Sequence, residues 1–145
     1  MPIWVAVEIF DFGALSRLFA GMKFNDQEAI AAKYGLTSGR ELGQWLRSLN
    51  FIRNVAAHHS RLWNMNILEL SPVPQFDAVW QSLNNARPFL YFCMMQRLMA
   101  CIRRDSSWRL RFKELVGGFP EPENKAVTAQ DFGIVAGWED WQLWA

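Results

Sequence analysis

Apolar side chains recur at helical spacing through residues 39–61, and this repeat constrains the fold of the 145-residue chain more than any other feature. Side chains advance by about 100° per residue on an α-helix, so residues three or four apart share a face. The repeat predicts one long helix with a single apolar face. That face is formed by Leu42, Leu46, Leu49, Arg53 and Ala56, with Trp45 and Ile52 beside it.

Arg53 is the charged residue on this predicted apolar face. An arginine is seldom fully buried unless an anionic or hydrogen-bonding group contacts its guanidinium. One interpretation is a structural ion pair with one of the 14 acidic side chains of the chain. The other is a functional site, in which Arg53 and Asn54 bind a phosphate and a neighbouring histidine moves a proton.

A polar, cationic strip is predicted on the flank of the same helix. The angular count places five side chains there: Arg47, Asn50, Asn54, His58 and Arg61. Histidine suits acid–base chemistry because its unperturbed pKa, about 6.5, allows both charge states near neutral pH. His58 belongs to the strip and is the preferred catalytic candidate. His59 falls at the border of the apolar face and could be a packed structural residue.

The segment from Arg53 to His58 fits the Arg-x4-6-His signature of the HEPN superfamily, many of whose members are metal-independent endoribonucleases of toxin and antiviral systems. The wider string FIRNVAAHHSRLWN, residues 51–64, resembles the Abi-like phage abortive-infection proteins. Residues 2–19 and the closing region from Phe132 to Trp144 also resemble that family. Members of the family are longer, and the chain resembles their C-terminal half.

The resemblance implies a HEPN-like helical bundle that cleaves RNA in the cytoplasm, in abortive infection or as part of a toxin system. It implies catalysis by Arg53 and Asn54 with His58 or His59, and no metal or cofactor. In the mechanism expected, the RNA 2′-hydroxyl attacks the adjacent phosphate, a histidine moves the proton, and Arg53 stabilises charge on the phosphoryl oxygens. The expected partners are RNA, a second copy of the chain, and an antitoxin or the N-terminal half.

The spacing of the signature bears on the oligomeric state. On one straight helix Arg53 and His58 diverge by about 140°, and Arg53 and His59 by about 120°. One chain alone therefore builds the site poorly, although a kink in the helix could bring the groups together. Two-fold pairing of identical helices would place both motifs in one groove. HEPN ribonucleases pair in this way, so the resemblance implies a homodimer.

The remaining sequence predicts an all-α fold of two long and two or three shorter helices in a single domain, residues 1–145. Thr37 or Ser38 caps the histidine-bearing helix, and Ser38 with Glu41 three residues later forms a capping-box pattern there. The other predicted helices cover residues 3–20, a segment from an Asn25 cap through Tyr34 that Gly35 closes, one or two turns around 76–83, residues 88–104, residues 107–116, and a last short helix capped by Thr128 and ended by Gly137. Three late tryptophans predict that the C-terminal segment docks on the body of the fold.

Composition limits the function classes. A net charge of +1 argues against a strongly electrostatic, non-specific nucleic-acid binder. One basic cluster could contact an RNA backbone, although a charged face is usually just solvated. Its members are Arg103, Arg104, Arg109, Arg111 and Lys113. Cys93 and Cys101 are expected to be reduced, buried thiols of a cytosolic protein.

Several sequence signals are absent. The sequence has no glycine-rich phosphate loop and no Cys-x-x-Cys pair, and two adjacent histidines alone make a poor metal site, so no metal site is predicted. It also has no apolar run long enough for a membrane span. Two non-enzymatic alternatives remain open. One is an RNA- or protein-binding module whose Arg53 binds a phosphate or an acidic partner, and the other is a structural interaction domain.

Overall fold

A computed structural model describes residues 10–120 and 126–145, and every regular element in these ranges is helical. The prediction of an all-α fold is therefore confirmed. The six α-helices are α1 (Phe12–Ala20), α2 (Phe24–Lys33), α3 (Gly39–Ala57), α4 (Ala78–Ser82), α5 (Pro88–Ile102) and α6 (Trp108–Gly117). Two 3-10 helices follow, at Ala129–Phe132 and Trp138–Asp140.

Helix α3 is the longest element, with 19 residues, and the other long helix is α5. The Ser38 hydroxyl accepts a hydrogen bond from the Glu41 N–H at 3.2 Å, which confirms the predicted cap. The Glu41 carboxylate accepts hydrogen bonds from the N–H and the hydroxyl of Thr37, at 3.0 and 2.7 Å. Gly35, at φ +66°, ends the preceding segment as predicted.

The core forms where α1 and α2 pack along one side of α3 and α5 packs against another. Trp45 of α3 and Trp80 of α4 are buried and stacked, with ring centroids 6.2 Å apart. The middle of α5 is buried around most of its circumference, which its nearly continuous apolar sequence explains. Its Pro88 lies in the first turn, where a missing N–H breaks no helical hydrogen bond.

Aromatic side chains fasten the C-terminal segment to α5 and α6. Trp138 and Trp144 are buried, and Trp144 lies 4.8 Å from Phe112 between ring centroids. The predicted docking is therefore confirmed. Thr128 forms the predicted cap, as part of a capping box with Asp131. The helix it caps is a short 3-10 helix that ends at Gly133, at φ +93°.

The long connection after α3 is held to α5 by a buried tyrosine. The Tyr91 hydroxyl donates to the carbonyl of Asn85 at 2.8 Å and accepts from the Ser71 N–H at 3.2 Å. The Asn85 side chain in turn donates to the Ser71 carbonyl at 3.1 Å. These bonds satisfy backbone groups that no helix could satisfy. The short helix predicted around residues 76–83 is confirmed as α4.

Some predicted bounds are wrong at helix starts. Asp11 caps α1 through a hydrogen bond from the Ala14 N–H, so Phe10 lies outside the helix, and residues 3–9 of the predicted helix lie outside the described residues. Lys23 rather than Asn25 precedes the first turn of α2. Gly137 precedes the second 3-10 helix and does not end a helix as predicted.

Cys93 is buried as expected, whereas Cys101 is exposed.

Within residues 10–120 and 126–145, no helix combines the length and the apolar character needed to cross a membrane.

Candidate functional site

Helix α3 ends at Ala57, four residues before the predicted end, and this changes the geometry of the histidines. His58 is the C-cap, and its N–H still donates to the Asn54 carbonyl at 3.0 Å. The N–H groups of His59 and Ser60 then donate to the carbonyls of Ala56 and Val55, both at 3.1 Å. This pair of bonds defines a Schellman motif, which closes the helix. The prediction that one helix carries His58, His59 and Arg61 is therefore wrong.

His59 occupies the left-handed position of this motif, at φ +54°. It is the non-glycine residue with positive φ in the described part of the chain. Glycine is the usual residue at this position, because a side chain there is strained against the backbone. Both His58 and His59 are exposed, so the interpretation of His59 as a packed residue is wrong.

Arg53 is exposed and does not lie on the buried face of α3. The apolar face ends at Leu49 and Ile52, since Ala56 is exposed as well. The Nη1 atom of Arg53 donates a hydrogen bond to Oδ1 of Asn54 at 2.9 Å. Among the described residues no carboxylate lies within 4.0 Å of its guanidinium. The described residues therefore form no structural ion pair with Arg53, and its guanidinium is accessible to an external anion.

Three residues of the predicted strip, Arg47, Asn50 and Asn54, line a cleft of about 310 Å³ between α1 and α3. Residues of α1 form the opposite wall: Gly13, Ser16 and Arg17. The two helices approach closely at Gly13, where an added Cβ would lie 3.2 Å from Oδ1 of Asn50. A larger residue at this position would displace the Asn50 amide from the cleft wall.

The cleft has cationic and amide groups with one acidic side chain. Arg47 Nε lies 3.7 Å from Glu69 Oε1, and both side chains are about half exposed. An ion pair with this exposure contributes little stability, so Arg47 is available to a phosphate. Arg17 has no ion pair among the described residues. The sequence interpretation included neither Arg17 nor Glu69, because only the packing of α1 and the later connection brings them to α3.

The strip is thus divided into two parts. Arg47, Asn50 and Asn54 line the cleft, whereas His58 and Arg61 lie exposed beyond the end of α3, as does His59 at the border of the predicted apolar face. Arg53 hydrogen-bonds to Asn54, and so it connects the cleft to the turn.

The chain that follows the histidines is held in place by the rest of the fold. Trp63 stacks on Phe119 with ring centroids 3.9 Å apart, and on Phe132 at 5.0 Å. Arg87 donates a hydrogen bond to the Asn64 carbonyl at 3.0 Å. The turn with both imidazoles is therefore fixed at each end, by α3 on one side and by these contacts on the other.

The predicted basic cluster is also divided. Arg103, Arg104 and Arg109 line one pocket, whereas Arg111 is exposed outside it. Lys113 donates a hydrogen bond to the Glu139 carbonyl at 2.8 Å, which gives it a structural role. In residues 10–120 and 126–145, no three His, Cys, Asp or Glu side chains are grouped so that they could hold a metal ion.

The fold and site define a class of protein: an all-α bundle with an exposed Arg-x4-His turn beside a cationic cleft. Residues 1–64, which include Arg53, His58 and His59, match the family model described as Abi-like protein. The match does not extend to the closing region from Phe132 to Trp144. No curated protein and no solved structure matches the chain.

Proposed function

We propose that the protein is a metal-independent endoribonuclease that acts in the cytoplasm, in an abortive-infection response to phage or in a toxin system. One observation carries the proposal. Arg53 and both imidazoles are exposed at the end of the same helix, and no carboxylate of the described residues neutralises Arg53. The match of residues 1–64 to Abi-like proteins supports the biological setting.

In the proposed reaction a histidine removes the proton of a ribose 2′-hydroxyl, whose oxygen attacks the adjacent phosphorus. The 2′-O–P bond forms as the P–O5′ bond breaks, which leaves a 2′,3′-cyclic phosphate and a 5′-hydroxyl. A second acid supplies the proton that the leaving 5′-oxygen takes up. Arg53 stabilises the charge on the non-bridging oxygens, because its planar fork binds two oxygens at once.

Asn54 orients Arg53 in this mechanism. Its Oδ1 atom accepts the hydrogen bond from Arg53 Nη1 at 2.9 Å, so the amide oxygen fixes the guanidinium. The amide nitrogen can then donate to a phosphate oxygen. Arg47 and Arg17 in the adjacent cleft are placed to bind neighbouring phosphates of the same strand. His58 is the preferred general base, and His59, in the next position, can supply the acid.

A second copy of the chain would complete the site. The N–H of His58 still forms the helical hydrogen bond to the Asn54 carbonyl. The angle between the His58 and Arg53 side chains about the helix axis therefore stays close to its value on a regular helix, about 140°. Its exposure, and that of Arg53, leave both groups accessible to a two-fold-related copy. In such a dimer Arg53 of one protomer and a histidine of the other would act on one phosphate.

The test is cleavage of single-stranded RNA in the presence of EDTA. We expect the wild type to cleave, and Arg53→Ala and His58→Ala to lose at least a factor of about 100 in rate, the lower range for acid–base catalysis. Arg40→Ala is the matched control, because Arg40 is exposed at the other end of α3. Cleavage by His58→Ala at the wild-type rate would remove His58 from the mechanism.

A non-catalytic RNA-binding module is the second candidate, and the divided strip favours it. The cleft lined by Arg17, Arg47, Asn50 and Asn54 could bind RNA without any imidazole. For this candidate the expected result is no cleavage by the wild type, together with RNA binding that weakens in Arg47→Ala.

A further inference from the structure

A second cationic cavity, of about 320 Å³, lies between the end of α5 and the start of α6, and the C-terminal residues close it. Its charged lining residues are Arg103, Arg104 and Arg109, and no acidic side chain lines it. The cavity thus brings together three arginine side chains and no acidic side chain. None of these residues lines the cleft next to Arg53.

Two of the three guanidinium groups have no partner among the described residues. Arg103 Nε lies 3.3 Å from Asp105 Oδ1, but both side chains are largely exposed, so this pair contributes little. No described residue forms an ion pair or a side-chain hydrogen bond with Arg104 or Arg109. Like charges around one cavity repel each other, and a bound anion would relieve the repulsion.

The position of Arg109 strengthens the case for an anion. Arg103 and Arg104 follow the C-terminal end of α5. The helix dipole favours cations at that end, so the position of these two arginines is explained without a bound anion. Arg109 lies in the first turn of α6, where the dipole disfavours a cation. This turn has no acidic residue, and Ser107 makes no side-chain cap. A helix start that Ser107 does not cap, with an arginine that has no ion pair among the described residues, is suited to an oxyanion.

The wall of the cavity is preorganised. Gln96, on α5, is 7% exposed, and its Nε2 atom donates to the Leu143 carbonyl at 3.3 Å. This bond joins the helix to the C-terminal segment on one side of the cavity. Ser106 accepts a hydrogen bond from the Trp108 N–H at 3.3 Å on the other side. Both walls of the cavity are therefore held by hydrogen bonds.

We infer that this cavity binds the terminal phosphate of a 5′-phosphorylated RNA. A terminal phosphate monoester carries up to two negative charges, and a cavity with three guanidinium groups matches it better than it matches a singly charged phosphodiester. The α5 helix and the C-terminal segment close one side, so the cavity accepts the end of a strand. The choice of RNA rests on the proposed function, whereas the choice of a phosphate monoester rests on the cavity alone.

The test compares two short RNAs of one sequence, with a 5′-phosphate or a 5′-hydroxyl, both 2′-O-methylated so that they cannot be cleaved. We expect the wild type to bind the phosphorylated RNA at least about tenfold more tightly, as fluorescence anisotropy would show. Arg104→Gln and Arg109→Gln should each lower this preference, and the double variant should abolish it. Arg111→Gln, the matched control outside the cavity, should leave the ratio unchanged.

Adenosine monophosphate, with adenosine as control, distinguishes the terminal phosphate from the RNA chain. Competition by the nucleotide but not by adenosine supports the inference, because only the phosphate differs. Equal binding of the two RNAs by the wild type, or a preference that survives in the double variant, overturns it. Circular dichroism melts check folding, and Arg104→Gln changes an exposed side chain. Lack of cleavage in EDTA with the preference retained would overturn the nuclease alone.

Discussion

At the scale of residues, His59 adopts a backbone conformation that is unfavourable for any residue other than glycine. It closes α3 in the left-handed region, at φ +54°, where glycine is favoured. An L-residue in this conformation costs about 1–2 kcal/mol. Strained residues that persist without a structural partner are concentrated at functional sites. His59 is exposed and has no hydrogen-bonded side-chain partner among the described residues, which supports a role in chemistry for this imidazole beside His58.

His59→Gly should therefore raise the free energy of unfolding by about 0.5–1 kcal/mol, because glycine adopts this conformation without strain. His58→Gly is the matched control. His58 is at φ −90°, so glycine there only adds freedom to the unfolded chain and should lower stability. Denaturant unfolding of the three proteins measures the difference. A destabilised His59→Gly would show that the imidazole has a structural role.

At the scale of elements, the start of α3 could be predicted and its end could not. Ser38 and Glu41 form a known sequence signature, and the structure shows the cap. The Schellman motif at the other end has no such signature, because His59 takes the position where glycine would mark the turn. The prediction that Arg53 lies on the apolar face of α3 was wrong for a different reason. The angular pattern continues past Ile52, but among the described residues the elements that bury α3 reach no further, and tertiary packing determines this limit.

The residues of the cleft could likewise be predicted only in part. Arg47, Asn50 and Asn54 are on one flank of one helix, so their shared direction could be predicted from helical geometry. Arg17 and Glu69 reach the cleft from α1 and from the connection after α3. Their positions depend on how closely α1 approaches α3, and that depends on Gly13. A single sequence gives no sign of such a contact between elements.

Tyr91 connects α5 to the connection before α4, and its hydroxyl should be important for stability. Tyr91→Phe leaves the Asn85 carbonyl and the Ser71 N–H without this partner. We expect a loss of about 1–3 kcal/mol in the free energy of unfolding, the usual cost of unsatisfied buried groups. Thermal or denaturant unfolding measures it. Asn84→Ala, at an exposed site in the same segment, serves as a control with a smaller expected change.

The same residue predicts a pH dependence. Burial raises the pKa of the Tyr91 phenol above its ordinary value of 10.0, and the Glu69 carboxylate adds to the shift, against the opposing hydrogen bond from Ser71. The folded state therefore favours the neutral phenol. Its contribution to stability is complete below the ordinary pKa and declines as the pH rises through the folded-state value. In Tyr91→Phe the alkaline loss of stability should be shallower than in the wild type.

At the scale of the whole molecule, the order of the helices and the docking of the C-terminal segment were predicted, because both follow from caps and from the burial of large aromatics. Arg53 and His58 diverge by about 140° on a regular helix, so we propose that two copies of the chain form the nuclease site together.

Mixing two inactive variants tests the dimer. In Arg53→Ala and His58→Ala homodimers every composite site lacks one group. Subunit exchange makes about half of the dimers mixed, each with one complete site out of two, so about one quarter of the wild-type cleavage should return. Mixing Arg53→Ala with Arg53→Ala/His58→Ala is the control and should restore nothing. If the first mixture also stays inactive although the subunits exchange, both groups must act within one chain.

Trp144 is fully buried among rings of α5, α6 and the second 3-10 helix. These partners precede it in the sequence, so they are synthesised before the residue that completes their packing. A nascent chain cannot finish its core until Trp144 has emerged from the ribosome. The core therefore reaches its final packing only after the segment that carries Trp144 has been synthesised.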